Sequence, residues 1–154
     1  DSFTKKISPV YNAITLTKKK LQKDRSLISF IGAPWTLVIY MFSLKSQKNH
    51  LDLNKLKKYE KQINIVLDRI VEFLCLHIIN QHKAGADVVQ IFDSWAGLVP
   101  EEKLFDYCYE PNRKIVEFCK KNNLPTICFN FTKKWLYCRL TTINFSVIIH
   151  YKLK

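Results

Sequence analysis

The chain has 154 residues, of which 47% are hydrophobic and 25% charged, and its formal net charge is +12. A domain of this size buries roughly 70% of its unfolded surface, enough for one real core, but a complete (β/α)8 barrel needs about 250 residues. The longest apolar runs, such as Ile63 to Ile79, are broken by charges including Asp68, Arg69 and Glu72, which excludes a membrane-spanning helix there.

In chain order, Val10, Ile14, Leu16 and Leu21 fall near helical spacing before a polar break at residues 22–25. Ser26 to Ile31 then reads as a short β-rich strand. Gly32, Ala33 and Pro34 end it in a tight turn, and Trp35 to Phe42 is predicted as a short helix. From Leu53 to about His82, apolar residues at 56, 59, 63, 67, 70, 73, 74 and 78 recur at steps of three and four, which predicts one long amphipathic helix. It closes at Ala84 and Gly85, glycine being able to take the left-handed conformation of a helix end.

Asp87 to Phe92 (DVVQIF) is a continuous β-branched and aromatic run, suited to a strand buried on both faces. Residues 93–97 form the loop after it. Pro100, Glu101 and Glu102 open a helix, with carboxylates at the positive end of the dipole, and Pro111 opens a second that runs to about Lys121. Pro125 leads into a strand from Thr126 to Phe129. Alternating helices and strands with crossovers of this length predict an α/β parallel sheet, either a small open sheet or one slice of a (β/α)8 TIM barrel.

The charge is unevenly spread. Residues 1–60 hold 12 basic and 4 acidic side chains, residues 61–129 hold 8 and 9, and residues 130–154 hold 5 and none. The strand-rich middle is thus nearly neutral, and no arginine stripe or aromatic platform accompanies the lysines, so nucleic acid is not expected as a partner. The five cysteines form an odd set without a CxxC pair, which argues against disulfides and a zinc knuckle. They read as reduced and mostly buried. The start at Asp1 has no basic-apolar-small succession of a secretory signal, so a cytoplasmic protein without membrane association is expected.

In a parallel α/β sheet, ligands bind beyond the carboxyl ends of the strands. The stretches there are IGAPWTLVIYM at 31–41 and QIFDSWAGLV at 90–99, the second preceded by AGADVVQ at 84–90. These words and their spacing resemble two signature regions of the uroporphyrinogen decarboxylase family. The resemblance covers roughly Val10 to Phe129 and only the central part of the family's sequence. It implies a slice of a single-domain TIM barrel that dimerises when full length, a cofactor-free lyase, and uroporphyrinogen as substrate.

Two residues inside the matching words carry over as implied substrate contacts, Tyr40 and Ser94. A phenol or small hydroxyl at a strand end can hydrogen-bond a carboxylate without burying a charge of its own. Apart from the resemblance, Tyr40 reads as a core aromatic with its hydroxyl at the surface, and Ser94 as a turn residue. Asp93 is the nearest carboxylate, a loop cap or an acid-base group, with the cap favoured. Trp35 and Trp95 read equally as pocket walls or hydrophobic plugs.

Cys75, His77 and His82 lie close in sequence, but the step of five from His77 to His82 diverges on a helix, so no metal site is expected. The family's catalytic aspartate and arginine-bearing motif would lie upstream of Asp1, which leaves the catalytic residue of this chain unknown and its own activity in question. Residues 1–129 are therefore read as the central portion of the barrel, and residues 130–154 as a basic, non-matching tail. The competing readings are a same-fold corrinoid- or thiol-dependent methyltransferase and a basic nucleic-acid-binding module.

Overall fold

The computed structural model describes residues 2–46, 50–130 and 146–148. Four strands form one parallel sheet: β1 (Ile28–Gly32), β2 (Val88–Asp93), β3 (Thr126–Asn130) and β4 (Ser146–Ile148), in that spatial order. Each strand lies beside the one that follows it in sequence, and helices fill the intervals between the first three. That is the arrangement of a partial TIM barrel. The sequence predicts three strands. The fourth, with β-branched Val147 and Ile148, lies inside the stretch set apart as a tail and pairs Thr126 with Ser146.

Two helices, α1 (Ser2–Lys6) and α2 (Ser8–Lys20), precede β1. Lys18 of α2 forms an ion pair with Asp87, whose carboxylate also accepts the Leu27 N–H at 2.6 Å, so α2 and the entries to β1 and β2 share one anchor. The Lys18 ammonium and that N–H hold the Asp87 carboxyl below its ordinary pKa.

Between β1 and β2 run α3 (Pro34–Met41) and the 31-residue α4 (Leu53–Lys83). Asp52 caps α4, accepting the Lys55 N–H at 3.0 Å. Its buried stripe is Leu56, Ile63, Leu67, Ile70, Val71, Leu74, Cys75 and Ile78. Phe73, expected on that stripe, is 47% exposed and packs against Phe3 instead, because α1 lies over it at the margin of the core. Gly85 ends the helix with φ +113, and its N–H donates to the His82 carbonyl.

The two helices expected between β2 and β3 are one continuous run of changing pitch. A 3-10 turn at Ala96–Leu98 stands apart, broken off by extended backbone at Val99 and Pro100, and the run itself passes from a 3-10 turn at Glu101–Lys103 through a π-turn at Phe105–Tyr109 into α5 (Glu110–Lys121). Pro111 falls in the first turn of α5. It has no N–H to complete the ordinary ladder with the preceding turn, which widens at that junction.

The strands differ on their two faces. Ser29 and Ile31 of β1, and Val89, Ile91 and Asp93 of β2, are buried against the helices. The alternate residues Ile28 and Phe30 are 51% and 69% exposed, and Val88, Gln90 and Phe92 are half-buried. The expectation that β2 is buried on both faces is thus corrected. Among the described residues only the helical side is covered, and Phe30 and Phe92 meet edge to face at 5.8 Å on the other.

Candidate functional site

Beyond the carboxyl ends of β1 and β2 the backbone is held closely. Ala33 donates to the Phe92 carbonyl at 2.8 Å, which extends the β1–β2 ladder to the first residue after β1. Pro34 starts α3, its fixed φ suited to a first helical turn. Trp35, Thr36, Val38 and Ile39 turn into the core, leaving Tyr40 on the outer side, 62% exposed. Tyr40 is therefore not the core aromatic that its apolar neighbours suggest. Ser94 lies in the turn after β2 and is exposed.

Trp95 joins these segments. Its carbonyl accepts from the Trp35 indole N–H at 3.1 Å, and its own indole N–H donates to the Tyr40 hydroxyl oxygen at 3.1 Å. The Tyr40 and Trp95 rings meet edge to face, 6.2 Å apart at 81°. The phenol oxygen thus accepts from the indole, and among the described residues no acceptor takes its proton, which can be donated outward. The Lys45 ammonium sits 4.9 Å from the centre of the Trp95 ring, a cation–π distance. Trp35 is the plug of the two tryptophans: it is fully buried and stacks on Tyr107 at 5.1 Å and 18°.

Asp93 neither caps the loop nor faces the strand-end opening. As the last residue of β2 it points to the helical side, fully buried, and accepts from Thr36 Oγ1 of α3 at 3.2 Å and from Asn112 Nδ2 of α5 at 3.0 Å. Burial raises its carboxyl to about 6, against the opposing pull of donors on Asn112, Thr36 and Cys108. Asp93 ties α3 and α5 to the end of β2 and so holds the turn that carries Ser94 and Trp95.

The two histidines weighed as metal ligands are engaged elsewhere. His77 Nδ1 meets the Tyr11 hydroxyl at 2.9 Å, and His82 Nδ1 meets the Ala86 carbonyl at 2.8 Å. Burial pushes the Cys75 thiol up to about 11 and that of Cys119 to about 12. Cys75, Cys108, Cys119 and Cys128 are reduced and buried, and Cys138 and His150 lie outside the described residues. Among the described residues no three His, Cys, Asp or Glu side chains are placed to hold a metal ion, and no helix is long and apolar enough to cross a membrane.

Sequence reasoning locates Tyr40, Ser94, Trp95 and Asp93 but misses Lys45, Thr36 and Asn112. Thr36 did carry a signal, as a polar residue inside an otherwise apolar helix start. Lys45 carried none, being one of many lysines.

Comparison with known proteins follows the same segments. The sequence model of the family Uroporphyrinogen decarboxylase (URO-D) matches residues 1–149. Among curated relatives, the uroporphyrinogen decarboxylase of Campylobacter jejuni (strain RM1221) is 36% identical over 128 residues, 81% of this chain and 38% of the relative. That of Orientia tsutsugamushi (strain Boryong) is 40% identical over 122 residues, 75% of this chain and 34% of the relative. That of Rickettsia bellii (strain RML369-C) is 36% identical over 132 residues, 84% of this chain and 39% of the relative. The chain thus spans well under half the length of these relatives.

Proposed function

The chain belongs to the uroporphyrinogen decarboxylase family, and from that premise we propose that it supplies part of the substrate-binding wall for the decarboxylation of uroporphyrinogen III to coproporphyrinogen III. In that reaction each of the four acetate side chains loses CO2 and gains a proton on the remaining carbon, leaving a methyl group. Tyr40 and Ser94 are assigned to binding substrate carboxylates, and the homodimer implied for full-length members belongs to the same reading.

One observation carries the assignment: the Tyr40 oxygen already accepts the Trp95 N–H, so its own proton is available to a ligand at the strand ends. Hydrogen bonds to a charged acceptor are worth about 1.5–3 kcal/mol each, less where water competes. Asp93 is given no proton-transfer role, because its oxygens face Thr36 and Asn112 behind the sheet.

The test is equilibrium binding of uroporphyrin, the stable octacarboxylate, and of coproporphyrin, the tetracarboxylate, to the full chain. Saturable binding that favours uroporphyrin and weakens about three- to tenfold in Y40F and in S94A is expected, the phenol and hydroxyl bonds being partly solvated. Equal affinity for the two porphyrins, or no response to either substitution, would sink the reading.

A further inference from the structure

We propose that Lys45 is a carboxylate-binding residue of this same site, held by Trp95 so that its ammonium and the Tyr40 hydroxyl present a paired cation and donor to an acidic side chain of the tetrapyrrole. The inference rests on the proposed function and goes beyond it by adding a charge to a wall otherwise made of neutral donors.

A surface lysine usually samples many rotamers, and ordering it has an entropic cost. Here the backbone around it is pinned. Lys45 bridges to Leu51, the Ser46 N–H donates to the His50 carbonyl at 2.8 Å, and the Asp52 N–H donates to the Leu44 carbonyl at 2.8 Å. Lys55 Nζ reaches the Ser43 carbonyl at 3.1 Å and closes the same turn from the first turn of α4.

The side chain is exposed but has a partner as well. Its ammonium lies over the Trp95 face, which occupies one side of the cation and leaves N–H bonds on the other sides for an anion. The edge of that same indole holds Tyr40, so one ring sets the position of both groups. Among the described residues, none of the ion pairs involves Lys45, so no protein carboxylate competes for it. Lys103 also lies near an aromatic ring, that of Tyr107, but it is paired with Glu60 on the helical side. A tetrapyrrole with several acidic side chains around its rim is the class of ligand that meets a cation beside a phenol.

The experiment measures uroporphyrin affinity for the full chain, K45Q, K45R and K58Q as salt is raised. Lys58 stands over Tyr59 at 5.2 Å near the start of α4 and serves as a lysine of similar setting held by a ring other than Trp95. K45Q should bind about three- to tenfold more weakly, with a shallower salt dependence, as expected for losing one partly solvated charge-assisted bond. K45R should recover most of the affinity, and K58Q should match the unaltered chain. If K45Q binds as the unaltered chain does while Y40F is weakened, Lys45 has no such role and the proposed function stands. If K45Q and K58Q weaken binding equally, the effect is general charge and the assignment falls. If the unaltered chain does not bind uroporphyrin, the proposed function falls and Lys45 with it.

Discussion

Asp93 is fully buried and surrounded by donors, and desolvation raises its carboxyl from 3.8 to about 6. The folded chain therefore holds this proton more tightly than the unfolded one. Its contribution to stability is complete below pH 3.8 and is lost as pH rises through about 6, amounting to about 3 kcal/mol between those limits. D93N should flatten that part of the pH dependence, measured as the urea midpoint from pH 4 to 7. The new amide can also donate to Asn112 Oδ1, a buried acceptor without a hydrogen-bond partner among the described residues. A midpoint that falls with pH as steeply in D93N as in the unaltered chain would rule out Asp93 as the source. The residue was visible in the word FDSWAG, but its direction was not. Ending β2 at Phe92 placed Asp93 in a loop, whereas one more strand residue puts it on the buried face with Val89 and Ile91.

The elements that were legible are those whose periodicity is long or whose ends carry special residues. The stripe of α4 and the Gly32-Ala33-Pro34 stop after β1 are of this kind, and their limits fall within a residue or two of expectation. The π-turn at Phe105–Tyr109 was not legible, because Pro111 reads equally well as the start of a separate helix and as a junction inside a continuous one. The first turn of α4 links this level to the site: Asp52 caps the helix through its side chain and holds the Lys45 turn through its N–H. D52A should cost about 1 kcal/mol of stability, read from the denaturation midpoint, while leaving that backbone bond in place. A loss within about 0.2 kcal/mol of zero would show that the cap is replaced by solvent.

For the whole molecule, the parallel α/β architecture follows from alternating strand and helix signals, whereas the fourth strand does not, since Ser146–Ile148 is too short to stand out from its surroundings. The sheet face bearing Ile28, Phe30, Val88 and Phe92 is where inward residues of a barrel would meet, and among the described residues it is open. An apolar face left open in this way is expected to drive self-association of the chain, which the double substitution I28K/F30E should reduce in sedimentation velocity while leaving the far-UV circular dichroism unchanged. An unaltered degree of association would locate the contact elsewhere. The strand order has a further consequence, for the way the chain folds. Forming β1–β2 joins Ile28 to Val88, 60 positions apart, and forming β2–β3 joins Val89 to Thr126, 37 positions apart. Loop-closure entropy separates these two steps by only about 0.4 kcal/mol, so neither pairing has a decisive head start. β2 and β3 each lie between two neighbours, so their amides are expected to be the last in the sheet to exchange with deuterium, with β1 at the edge exchanging earlier.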